Sequence, residues 1–330
     1  MVAAARRVLL TGATGFVGSH AAEAFAGTGM QVRALVRSPD RARALAGLGV
    51  ELAQGSLEDD GALRAACAGT DVVVHMAALT HARTEAEYQS VNRDGTLRLL
   101  HASCAAASRP PRFVYLSSLA AAGPAVNGRG IRSDDTPRPL TAYGRSKLAG
   151  ERACLDEAGR IDTIVLRATA VYGPRDTDLY HFFRLASRGI IPVPTGPPRP
   201  LQMVHVADLA RALVRAAEAV RATGVYHIAE PQAYAWEEVG RMVGAAVGRS
   251  PRMVRVPAVL IRALAAVSES TAGMIGRSTI FNRDKARELL APGWLCETES
   301  ARADLDYEAG IPLADGLHAT AQWYREQGWL

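Results

Sequence analysis

A short apolar run, Val8-Leu9-Leu10, leads straight into three glycines spaced three apart, Gly12, Gly15 and Gly18, and then into a helix-forming stretch, Ser19 to Phe25. A strand, a glycine turn and a helix start in so little chain make a phosphate cradle. Gly12 permits the tight turn, Gly15 lets a pyrophosphate approach the backbone, and Gly18 lets the helix pack close on the strand. The free N–H groups and the positive end of the helix dipole then face the anion.

The chain beyond repeats the alternation. Gln31–Arg37, Val50–Ala53, Asp71–His75, Phe113–Leu116, Thr163–Leu166 and Val225–Ala229 read as strands, with helical stretches of about 10 to 15 residues between the early ones. The pattern predicts an α/β fold built on a doubly wound parallel sheet, covered on both faces, with all strand ends and the ligand along one edge. Asn92 starts a helix whose core face carries Leu97, Leu100 and Cys104. Leu179–Gly189 and Trp236–Val247 read as further helices, and the proline-rich stretch 190–200 as a crossing towards the pocket.

Two positions on that edge address the cofactor. Ala77, in Met76-Ala77-Ala78, is small enough for a nucleotide to lie against the backbone. Arg37 closes the second strand, where an acid would accept from the 2′-hydroxyl of NAD and an arginine suits the 2′-phosphate of NADP. NADP is the preferred cofactor on this reading, and NAD the alternative.

The chemistry sits in T-A-Y-G-R-S-K. Tyr143 and Lys147 are four apart, on one face of a helix. A tyrosine is a poor base near neutral pH, and an ammonium one turn away is expected to lower its pKa. Lys147 is one of only two lysines, with Lys285, in a chain that otherwise uses arginine. Lysine, unlike arginine, has a pKa that can be tuned. Ser118 ends a strand on the cofactor edge and can bond a substrate oxygen. A tyrosine acid/base, a lysine and a serine are what hydride transfer at a carbinol or carbonyl requires.

Composition removes other classes. The net charge of +5 comes from arginines interspersed with acids, a solvated surface rather than a nucleic-acid patch. Cys67, Cys104, Cys154 and Cys296 have no paired spacing, so free thiols are expected, with no metal site. The apolar run after Met1–Arg7 is too short for a secretory leader, and Val254–Gly276 is broken by Arg262, Ser268, Glu269 and Ser270. A soluble cytoplasmic protein is expected, with peripheral lipid contact through 254–276 left open.

Together, T-G-A-T-G-F-V-G, H-M-A-A, V-N-R-D-G-T, Y-L-S-S-L-A-A-A-G, Y-G-R-S-K and L-R-A-T-A-V-Y-G-P resemble the extended short-chain dehydrogenase/reductase superfamily, the NAD-dependent epimerase/dehydratase group, in order and spacing over nearly the whole chain. The resemblance implies Ser118, Tyr143 and Lys147 as catalytic residues, with Asn92 supporting the active-site water network. It gives Gly12, Gly15, Phe16, Val17 and Gly18 to the pyrophosphate, Ser56 and Leu57 to the adenine, and Lys147 also to the nicotinamide ribose. The group usually has an acid where Ser56 stands. Residues 1–173 and 203–229 would form the dinucleotide-binding (Rossmann) domain, and 174–202 and 230–330 a smaller, mostly C-terminal α/β substrate domain. His205 and Asp208 fall in a segment like the group's V-H-V-x-D; they read as a buried histidine and a helix-start charge. A homodimer is expected, paired through the helices carrying Asn92–Ala107 and Tyr143–Glu157.

Members that dehydrate nucleotide sugars carry Asp-Glu after the catalytic serine or threonine; here Leu119 and Ala120 follow Ser118. Nucleotide-sugar enzymes also tend to have an asparagine where Ala170 stands. Val256–Val267 is unusually apolar, and the C-terminal stretch resembles the 3β-hydroxysteroid-dehydrogenase-like branch, with Asp306 in place of its usual glycine. The branch implies an NAD(P)-dependent oxidoreductase interconverting a secondary alcohol and a ketone on a lipophilic (steroid-, isoprenoid- or acyl-like) substrate. The alternatives are a nucleotide-sugar 4-epimerase and a non-catalytic NAD(P)-binding regulatory protein.

Overall fold

A computed structural model describes residues 5–106, 111–126, 128–274, 279 and 281–330. Met1–Ala4, Ala107 at the end of the expected pairing helix, and residues 275 and 276 of the apolar segment lie outside them. The strands are β1 (Arg7–Thr11), β2 (Gln31–Val36), β3 (Glu51–Gln54), β4 (Val72–His75), β5 (Arg112–Ser118), β6 (Thr163–Ala168), β7 (Ala170–Tyr172), β8 (Ile190–Pro194), β9 (Met203–His205), β10 (Gly224–Ile228) and β11 (Arg252–Val256). Helices of seven or more residues are α1 (Phe16–Ala26), α2 (Asp60–Cys67), α3 (Thr96–Ala105), α4 (Ala142–Asp156), α5 (Tyr180–Ser187), α6 (Val206–Glu218), α7 (Trp236–Ala246), α8 (Ala258–Met274), α9 (Arg283–Leu289), α10 (Glu299–Leu305) and α11 (Leu313–Glu326).

Seven strands form one sheet in the order β10-β6-β5-β4-β1-β2-β3, every pairing parallel. Alternation within each strand feeds two cores. Val8, Leu10, Val72, Val74 and Val114 point into the layer that holds Ala21, Phe25, Leu209 and Leu213. Leu9, Val73, Phe113 and Tyr115 point into the opposite layer, with Leu63, Leu99, Leu100 and Cys154. Burying a side chain of this size stabilises by about 1.5–3 kcal/mol, so a continuously apolar strand holds both layers at once.

A separate cluster unites Tyr172, Phe183, Ile191, Val243, Leu317 and Tyr324. Residues 230–330 are not confined to it, because Ala301, Leu305 and Tyr307 pack into the main core beside Tyr226. All four cysteines are free thiols.

Three sequence expectations change. Ile190–Pro194 is a strand paired in parallel with β11, not a mere crossing segment. Its burial alternates on Ile191 and Val193, while Pro192 and Pro194 are tolerated in a two-stranded edge ribbon. The helix expected from Asn92 is preceded by a short helix at Glu85–Gln89 and a π-helical turn at Ser90–Gly95. That turn rotates the buried face of α3 to Leu99, Leu100, Ala102 and Ser103, leaving Leu97 and Cys104 at its margin.

Candidate active site

The carboxyl ends of β1, β4 and β5 build the floor. Gly12 has φ +73°, and a Cβ there would lie 2.6 Å from the Ala77 nitrogen. A Cβ at Gly18 would fall 2.0 Å from the Gly12 carbonyl oxygen, so α1 starts this close to β1 only without one. At Gly15 a Cβ would meet the Gly12 oxygen at 3.3 Å and nothing else within 4 Å, leaving open space on that side. Gly15 caps α1, whose first turn holds Phe16, Val17 and Gly18 and no acid. The residues present therefore fit a dinucleotide's pyrophosphate, because a tight turn, an open approach and unopposed N–H groups coincide.

Ala77 donates its N–H to the Thr11 hydroxyl (3.3 Å) and lies against Gly12. Ser56 and Leu57 follow β3. The Ser56 hydroxyl accepts from the Glu58 N–H (3.2 Å), and Leu57 packs against Gly95. Arg37 is exposed just past the end of β2.

Ser118 ends β5 and caps the short helix Leu119–Ala122, accepting from the Ala120 N–H (3.2 Å). That bond occupies a lone pair and leaves the hydroxyl proton to be donated. Tyr143 lies in the first turn of α4, which Thr141 caps by accepting from the Gly144 N–H (3.0 Å). Lys147, one turn further, is buried. Its ammonium donates to the Leu116 carbonyl (2.7 Å) and sits 4.2 Å from the centre of the Tyr115 ring.

The expected tuning of the phenol is overturned. Burial raises the pKa of Tyr143 above the usual phenol range; Glu288 adds to this, and only the neighbouring Ser118 hydroxyl pulls it down. The Lys147 ammonium is turned instead to Leu116 and Tyr115. Burial brings its own pKa down to about 8, opposed by Glu151. The phenol is thus set to hold its proton, and the ammonium is the group poised to lose one.

The Asn92 side chain is spent on protein partners. Its carbonyl oxygen accepts from the Leu79 N–H (2.7 Å), and its amide donates to the Leu79 carbonyl (3.0 Å) and the Ser146 hydroxyl (2.8 Å). Ser146 donates onward to the Tyr143 carbonyl (2.7 Å). Asn92 therefore clamps the loop after β4 to the turn that carries Tyr143.

Sequence reasoning missed three supports. His75 is fully buried between the hydroxyls of Thr11 (2.6 Å) and Thr96 (2.9 Å), and burial followed by Lys147 holds its pKa down to about 3. Glu151 meets Arg167 through two bonds (2.7 and 3.0 Å) and accepts from Ser117 (2.5 Å), all buried. Its signal was present: Glu151 is four residues after Lys147, and Arg167 is a charge inside an apolar strand. Asp284 and Glu288 of α9 had no local signal. Asp284 accepts from the Ala142 N–H (2.8 Å) and Glu288 from the Thr141 hydroxyl (3.4 Å), at the start of α4.

His205 caps α6, accepting from the Ala207 N–H (3.2 Å). Asp208, buried in the first turn, accepts from the N–H groups of Gly310 (3.0 Å) and Ile311 (2.9 Å) and pairs with Arg211 (2.7 Å). Asp306 takes a left-handed conformation, φ +48°, at the end of α10, the conformation glycine adopts most easily.

Residues 8–229 match the family model described as the NAD dependent epimerase/dehydratase family. The chain belongs to that family. It is similar to a ceramide reductase of Caulobacter vibrioides, 33% identical over 98% of this chain and 96% of that protein. It is also similar to a sterol-4-alpha-carboxylate 3-dehydrogenase (decarboxylating) of Dictyostelium discoideum, 33% identical over 56% of this chain and 58% of that one. Among solved structures, MoeE5 in complex with UDP-glucuronic acid and NAD is 28% identical, with a TM-score of 0.76, covering 97% of this chain and 99% of that one. Family and relatives make this chain an NAD-dependent oxidoreductase of the extended type, on the branch that holds the sterol dehydrogenases.

Proposed function

We propose that the protein interconverts a secondary alcohol and a ketone on a lipophilic substrate, with NADP preferred. The observation that supports the reading is the Ser118 hydroxyl next to the Tyr143 phenol, with Lys147 one turn further along α4. The nicotinamide, when bound, supplies or takes the hydride. In the reducing direction Ser118 donates its free hydroxyl hydrogen to the substrate oxygen and Tyr143 delivers the proton that completes the alcohol. Lys147, one turn along α4 from the phenol, holds its positive charge against the Leu116 carbonyl and the Tyr115 ring. Asn92 positions Tyr143 through Ser146.

Two features favour a lipid-like ketone over a sugar nucleotide. Leu119 and Ala120 are buried and apolar, so no acid/base pair follows Ser118. Relatives named for ceramide and sterol chemistry support the same class. The exposed Arg37, with no acid between it and Glu23, supports the choice of NADP. The reading includes a homodimer paired through α3 and α4.

A thermal-shift titration with NADPH, NADH, NADP and NAD tests the cofactor, since a ligand that binds the folded state raises the melting temperature. Shifts larger with the phosphorylated pair are expected, and Arg37→Asp should reverse the preference. NADPH oxidation with long-chain and steroid ketones then tests the substrate. A shift with added UDP-glucose, and none of that oxidation, would move the reading to a nucleotide-sugar epimerase.

A further inference from the structure

Among the described residues helix α8 is packed on one side only. Ile261 and Ala265 are buried against Ala286 of α9. The opposite side presents Val259, Leu260, Leu264, Val267 and Met274, from 48% to 78% exposed. At about 100° per residue these five share an arc of roughly 140°. The other three positions on that arc are an alanine, a serine and a threonine, so it carries no charge. The helix's two charges lie outside the arc: Arg262, and Glu269, which pairs with Arg283 (3.0 Å).

The surroundings are of one sign. Residues 239–268 contain five arginines and no aspartate or glutamate. Arg252 and Arg255 of β11 are exposed directly ahead of the helix, as is Arg262 within it. Among the described residues no helix is long and apolar enough to cross a membrane. We propose that the free face of α8 docks onto an anionic lipid surface, lying in the interface with its apolar arc inserted and the arginines on the headgroups. A second copy fits less well, because two such faces would bring like-charged arginines together, whereas anionic headgroups neutralise them.

The position gives docking a purpose, which rests on the lipophilic-substrate reading. Helix α8 packs on α9, and α9 bonds through Asp284 and Glu288 to the start of the helix carrying Tyr143. A bilayer held by α8 is then one helix away from the segment that carries Tyr143, the side from which a lipid substrate would arrive.

The test is co-sedimentation of the whole protein with phosphatidylcholine vesicles, with and without phosphatidylglycerol. Binding only to the anionic vesicles is expected. Leu260→Ser/Leu264→Ser/Val267→Ser should weaken it at least ten-fold, with the melting temperature and the cofactor-induced shift unchanged. Arg252→Ser/Arg255→Ser/Arg262→Ser should weaken it by about five-fold per arginine. The proposal falls if anionic vesicles do not retain the protein, if the serine variant binds as well as the parent, or if that variant instead lowers the oligomeric state. Vesicle binding by a protein that reduces no lipid ketone upholds the docking face and removes the substrate reading alone.

Discussion

A phenol can donate a proton only while it holds one, and burial keeps Tyr143 protonated. Tyr143→Phe is expected to lower kcat for ketone reduction about 10²- to 10⁴-fold, while the cofactor still raises the melting temperature. Lys147 sets the pH limit. Its pKa is lowered to about 8, so the cation is present below that value and lost above it. The reductive rate should fall as pH rises through about 8, and a flat pH–rate profile from 7 to 9 would rule out a required Lys147 cation. Asp306 makes a smaller point. Its left-handed backbone suits glycine, and its side chain makes only a 3.7 Å pairing with Arg215 from a fully solvated position. Asp306→Gly should stabilise by about 0.5–1 kcal/mol, read as a higher urea midpoint at unchanged slope.

Helix α4 is held at two places. Its start is bonded by Asp284 and Glu288, and its middle by the buried Glu151–Arg167 pair under β5 and β6. Removing one partner of a buried pair leaves an uncompensated charge, so Glu151→Ala should cost about 3–5 kcal/mol in a urea melt. It also removes the anion that opposes the fall of the Lys147 pKa, so the high-pH limb of the rate profile should move lower. These supports mark where sequence reading ends. Val8–Leu10, Val72–Val74 and Phe113–Tyr115 announce buried strands because each residue faces one of two cores, and Tyr143 and Lys147 announce themselves by helical spacing. The pairing of β8 with β11 joins segments about 60 residues apart, one of them rich in proline, and no local pattern encodes it. The same holds for Asp284 and Glu288, which reach Ala142 and Thr141 across more than 140 residues. The error over the phenol came from reading distance along a helix as orientation, for Lys147 turns to Leu116 and Tyr115.

At the scale of the whole molecule, one edge of a parallel sheet collects everything the proposed chemistry needs. Right-handed crossovers bring the turn after β1, the loop after β4 and the end of β5 to the same side, although Gly12 and Ser118 are 106 positions apart in the chain. The C-terminal third returns to both halves of this arrangement: α10 joins the main core, and α9 closes on the start of α4. The preference for arginine over lysine has a practical outcome. Lys147 is buried, which leaves Lys285 of α9, 56% exposed, as the one solvent-facing lysine. Apart from the terminal amine, an amine-reactive dye has that one exposed side chain to label, one helical turn from Glu288, and its emission will report on the seam where α9 meets the start of α4.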